Sequence, residues 1–132
     1  MGRIGKFLLR LLGVAAALIA VAALALYIWL PHPTRDAAVL SAIRAESFTL
    51  MATHPVKPDE SAEIPQSQWP ATIASLHPYS VTVVRWGVHI GIKPYMDLGW
   101  GYGIPRNEAA RKELIDWCFG EAGQGVLWHA PC

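Results

Sequence analysis

The chain has 132 residues, room for one domain, with 53% hydrophobic residues and a formal net charge of +1. Its apolar content is concentrated near the N-terminus. The segment from Pro31 to Cys132 holds eight Lys/Arg and ten Asp/Glu with no basic run, a balance that argues against nucleic acid and anionic headgroups as partners of that segment.

The first predicted element is a transmembrane helix over Leu11–Leu30, an apolar run of 20 residues without charge or proline. At ~1.5 Å per residue it reaches about 30 Å, enough to cross a bilayer. Arg3, Lys6 and Arg10 precede it and all ten acidic residues follow it, so residues 1–30 form a cytoplasmic tip and anchor, with 31–132 outside. The lipid bilayer is the expected partner of residues 11–30. Tyr27 and Trp29 suit the outer headgroup level. Ala23-Leu24-Ala25 also fits a signal-peptidase site, but cleavage there leaves an apolar N-terminus, and the run exceeds a usual signal core of ~7–15 residues. A signal-anchor is the better reading. Myristoylation lacks its Ser or Thr at position 6.

Pro31-His32-Pro33 ends this helix. Thr34 then caps a second helix over residues 35–51, with Asp36 near its positive end and an inward stripe of Leu40, Ile43, Ser47, Leu50 and Met51. Residues 52–66 carry three prolines and three acidic residues and read as an extended surface connector. Residues 67–132 form the sheet-and-helix core. Ser67 caps a short helix that turns Trp69, Ile73 and Leu76 inward. Residues 79–92 predict a β-hairpin with Arg85-Trp86 at its tip and Gly87 supplying the turn. Val88, Ile90 and Ile92 then share one face and His89 takes the other.

The next strand, about 96–103, falls in the stretch Asp97–Pro105 (DLGWGYGIP), with glycine at 99, 101 and 103. Its spacing fits neither G-x-G-x-x-G nor Gly-Lys-Ser/Thr, which excludes a phosphate loop. A glycine face demands close approach by something else. A helix, 107–119 or 35–51, lying flat on it is the expected occupant. A helix over 107–119 follows, capped by Asn107, paired Glu108–Lys112, ended by Gly120, with Ala110, Leu114, Trp117 and Cys118 inward. The last predicted strand is 125–130, with Val126 and Trp128 opposite Leu127 and His129. The fold class is therefore α+β: one transmembrane helix, then a small antiparallel sheet packed with two or three helices.

Chemistry is sparse. The nearest two histidines, His77 and His89, have eleven residues between them, which fits no metal-seeding pair. His129 with Cys132 is half a site, and the expectation is an outward-facing histidine beside a thiol. Cys118 sits on an apolar stripe and reads as core packing rather than a nucleophile. A Cys118–Cys132 bridge suits an extracytoplasmic chain, but a strand over 125–130 carries Cys132 away from Cys118 unless Pro131 bends it back. The sequence predicts no catalytic residue, cofactor or metal ligand.

The run W-P-x-x-I-x-x-L-x-P-x-x-V-x-V…G-V-x-I, from Trp69 to Ile90, resembles small uncharacterised bacterial membrane-anchored or exported proteins. It covers about a sixth of the chain and is architectural. The resemblance implies this order of elements and a bacterial envelope location, and carries no functional residue.

The leading functional expectation is a single-pass inner-membrane protein whose periplasmic domain is a non-enzymatic interaction or structural module for an envelope or membrane partner. Arg85 and Trp86 are the expected contact. The first alternative is a small-ligand-binding or hydrolytic envelope protein using the Gly-aromatic strand, with His89, Trp100 and Tyr102 at the groove edge. The second is an accessory subunit of a larger membrane complex.

Overall fold

The computed structural model describes residues 2–132. The chain divides into two compact units, residues 1–32 and Pro33–Cys132. The first is a single helix, α1 (Arg3–Trp29), long and apolar enough to cross a membrane. Its hydrogen-bonded core can form within the segment alone, as a span requires. After it, His32 Nε2 bonds the Tyr27 carbonyl at 2.9 Å.

The second unit is an α+β domain built on six antiparallel strands in the order β1-β2-β3-β4-β6-β5. These are β1 (Ala62–Glu63), β2 (Ser80–Val84), β3 (Gly87–Lys93), β4 (Trp100–Pro105), β5 (Phe119–Gly123) and β6 (Val126–His129). The helices are α2 (Ala37–Thr53), α3 (Ala71–Ser75) and α4 (Glu108–Trp117).

One sheet face packs on α2. The predicted stripe of Leu40, Ile43, Ser47, Leu50 and Met51 is the buried face of that helix, meeting Val81, Val83, Val88, Ile90, Tyr102, Ile104 and Val126. Helical spacing on one side and period-two spacing on the other bring the two apolar surfaces together. The cap is Asp36 rather than Thr34: its carboxylate accepts from the Ala38 and Val39 amides, while Thr34 Oγ1 accepts from the Asp36 amide. Asp is favoured because a charged acceptor also meets the helix dipole.

The connector is less plain than its composition. Ala62 and Glu63 pair with Val83 and Thr82, and Ile64 is buried. A strand of two residues needs no long apolar run, so prolines on both sides hid it. Downstream, Pro70 is the N-cap of α3 and Ser67 lies in a 3-10 turn. The Thr72 and Ile73 amides of α3 donate instead to both carboxylate oxygens of Glu46 on α2, at 2.9 Å each.

The second face carries α4 and a smaller cluster of Leu114, Phe119 and Leu127 with Trp86 packed against it. Asn107 caps α4 as expected. The helix stops at Trp117, though, and Phe119 begins β5 where a helical turn ending at Gly120 was predicted. Glu108 pairs with Arg111 at 3.3 Å rather than with Lys112. Of the predicted stripe, Ala110 and Leu114 are buried, but Trp117 is 63% exposed. Stopping the helix early frees Phe119 for the sheet and leaves Trp117 on its rim. Cys118 and Cys132 are joined as a disulfide with Cα atoms 6.3 Å apart. This corrects both the packing role given to Cys118 and the geometric objection. Because β5 starts at 119 and Phe119 pairs with His129, residue 118 lies beside the end of β6 without a long return.

Ser47 Oγ is fully buried and has no hydrogen-bond partner among the described residues. An unpaired buried hydroxyl is destabilising by ~1–3 kcal/mol. Ser47→Ala should therefore raise stability by about 1 kcal/mol, read as a higher urea midpoint; a loss of stability would show that the hydroxyl is satisfied.

Candidate functional site

The glycine alternation of β4 organises the second sheet face. His89 on β3 pairs with Gly103, and His129 on β6 pairs with Gly101. Neighbouring strands lie about 4.8 Å apart, so β3 and β6 are separated by roughly twice that distance. With no side chain at 101 or 103, the two imidazoles lean across β4 and meet, Nε2 to Nε2, at 2.8 Å. Their centroids are 5.0 Å apart with planes inclined by 22°, so both nitrogens lie close to the line joining the rings.

The hydrogen-bond network sets the tautomers. His129 Nδ1 lies 3.0 Å from the Gly99 carbonyl oxygen, so it carries a proton and donates. Its Nε2 is therefore the acceptor, and His89 Nε2–H is the donor between the rings. Burial, reinforced by the nearby His129, holds His89 down to about 4. Burial likewise holds His129 below the ordinary imidazole range, opposed by its bond to Gly99. Both rings are neutral at pH 7. Their head-on approach suits a linear N–H···N bond and not the converging lone pairs of a tetrahedral metal. No cluster of three or more potential metal ligands occurs among the described residues.

Aromatic rings close around the pair. Phe119 stands edge-on to His129 at 4.8 Å, and Trp86 is edge-on to both His89 and Phe119, at 6.4 and 5.7 Å. Phe119 also occupies the space a side chain at 103 would need, with Trp86 in contact beside it. The expected occupant of the glycine face, a helix lying flat on it, is thus corrected. Rings fill the trough, and α4 reaches this cluster through Leu114.

Beyond the rings opens a cleft of about 430 Å³ lined by Arg85, Trp86, Glu113, Leu114 and Trp117, a size in the range of small ligand sites. Arg85 and Glu113 form an ion pair at its rim. Arg106 holds the hairpin tip, with its side chain donating to the Val84 and Arg85 carbonyls and its amide to that of Trp86. Trp86 is therefore a half-buried wall folded back over the sheet, not a free tip, and Arg85 remains exposed.

His89, Trp100 and Tyr102 do not share a groove. His89 faces the glycine trough, whereas Tyr102 is buried on the α2 face, where its oxygen accepts from the Thr34 amide at 2.8 Å. Burial pushes the Tyr102 phenol upward, with the Thr34 bond opposing. Trp100 shares Tyr102's parity in β4 and tilts on Tyr95. Two strand positions of opposite parity cannot line one pocket. The half-site of His129 with Cys132 dissolves too, since Cys132 is in the disulfide and His129 is 1% exposed rather than outward-facing.

The residues missed in the sequence are His129 as a partner of His89, and Trp117. The first had a usable signal, since two strand histidines share the parity of the glycines between them. No protein-family model, curated protein or solved structure matches the chain.

A Cβ at residue 101 runs into the Ile90 carbonyl oxygen and lies 3.1 Å from His129 Nε2. Gly101→Ala should lower stability by at least ~2 kcal/mol by overpacking. Gly120→Ala, with nothing within 4 Å of its Cβ, should stay within ~0.5 kcal/mol of wild type. Equal effects in chemical denaturation would contradict this account of the trough.

Proposed function

We infer that the chain is a single-pass protein of the bacterial inner membrane, N-terminus cytoplasmic and residues 31–132 periplasmic. Its domain is a non-enzymatic interaction module for an envelope or membrane protein. The observation that carries the interaction reading is the cleft: Trp117, 63% exposed, opposite the Trp86 wall with the Arg85–Glu113 pair at the rim. Aromatic and Arg side chains on rigid supports lose little entropy when a partner buries them. The basic flank Arg3, Lys6 and Arg10 supports the orientation. So does the disulfide, because such bonds persist in oxidising compartments.

The role first assigned to Trp86 passes to Trp117. Trp117→Ala should weaken partner capture from mild detergent extracts by at least ~2 kcal/mol, with melting nearly unchanged. Trp86→Ala removes a ring packed on Phe119 and His89 and should lower folding stability by roughly 2–4 kcal/mol. Capture that survives Trp117→Ala intact would remove the cleft from the interface. Recovery of the chain in a fixed stoichiometry with several membrane proteins would favour the accessory-subunit reading.

Topology is tested separately. Alkaline phosphatase fused after residue 132 should be active and a reporter that works only in the cytoplasm silent. The reverse pattern would overturn the orientation.

A further inference from the structure

The imidazole pair lies directly behind the Trp86 wall and joins two strands that are not neighbours. We propose that the His89–His129 pair is a proton-operated latch that sets the position of Trp86 and so regulates the cleft. This rests on the cleft being the interaction surface.

The proton steps follow from the tautomers. His129 uses its Nδ1–H on Gly99 and its Nε2 lone pair on His89, so the remaining basic nitrogen of the pair is Nδ1 of His89, on a partly exposed ring. A first solvent proton adds there. The resulting imidazolium keeps its Nε2–H on His129, and that bond becomes charge-assisted. A second proton can enter only at His129 Nε2. It places two N–H groups head-on at a 2.8 Å separation, and the link across β4 must break. The pair thus admits one proton with its geometry intact and opens on the second, a coupled two-step titration.

The surroundings reinforce the effect. The rings against the pair are Trp86 from the β2–β3 turn and Phe119 from β5, which pack in turn with Leu114 of α4 and Leu127 of β6, and none of these titrates. Charged side chains on these elements are engaged elsewhere: Arg85 with Glu113, Arg111 with Glu108 and Glu121, and Lys93 over the Trp100 ring. Lys112 and Asp116 of α4 are exposed. Among the described residues, neither imidazole has a carboxylate hydrogen-bond partner.

The sign follows from proton binding. Both histidines bind protons less readily folded than a free imidazole of 6.5 does, so the unfolded chain holds more protons in the acid range. Stability contributed by the pair is complete above pH 6.5 and is lost as pH falls toward about 4.

The test is NMR of the full chain in nanodiscs, labelled on histidine and tryptophan, from pH 7.5 to 4. The two rings should titrate in two coupled steps, both below 6.5. The Trp86 indole N–H resonance should move with the second, more acidic step, while that of Trp69, bonded to the Ile64 carbonyl, stays fixed. In His129→Asn, His89 should titrate as a single group and the Trp86 resonance should no longer follow it. If that variant fails to fold, the more exposed His89→Asn should likewise abolish the acid response of Trp86. Independent midpoints near 6.5, or a Trp86 signal that stays still through the histidine transition, would overturn the latch. These readouts need no partner, so a failure of capture by the wild type at pH 7.5 would count against the interaction reading alone.

Discussion

Two missing side chains govern the second face of the sheet. Because β4 presents only hydrogen at Gly101 and Gly103, the strands on either side can reach each other above it, and His89 meets His129 there. The same vacancy lets Phe119 settle against the backbone, and Trp86 packs edge-on to Phe119. Trp86 then forms the inner wall of the cleft whose outer wall is Trp117. Steric permission in one strand thereby positions a polar pair, an aromatic cluster and an open surface. A β-branched residue at either glycine would favour the strand by propensity and still dismantle what the strand supports.

The opposite face follows ordinary rules. Large aliphatic side chains from α2 and four strands interdigitate there, and the unpaired hydroxyl of Ser47 interrupts them. The division is sharp. One side of the sheet gains its stability from apolar area, while the other trades that area for rings that carry ionisable nitrogens. Stability and chemistry are thus segregated by strand parity.

Parity also explains what could be read from the sequence. The α2 stripe, the β2–β3 hairpin, the Asn107 cap and the alternation of β6 all rest on local periodicity, and each agrees with the structure. β5 has the sequence FGEAG, with two glycines and one β-favouring side chain, so propensity pointed to a loop and only its ladder with β6 makes it a strand. The placement of Trp117 and the disulfide both depended on that missed strand. The histidine pair spans 40 positions and exists only once β4 lies between its members. Spacing rules built for metal sites within one element could not register it.

Glu46 has a consequence of a different kind. α3 has five residues, far too few to offset the nucleation penalty of an isolated helix. Two of its orphan amides are satisfied by a carboxylate on α2, 26 and 27 positions earlier in the chain. The short helix is therefore conditional: it has no reason to persist until α2 has formed and docked. During folding, α2 acts as a template, and the segment from 71 to 75 takes its shape from an element already in place. Any fluctuation that lifts α2 from the sheet unwinds α3 with it, so the two helices open as one cooperative unit although a long connector separates them.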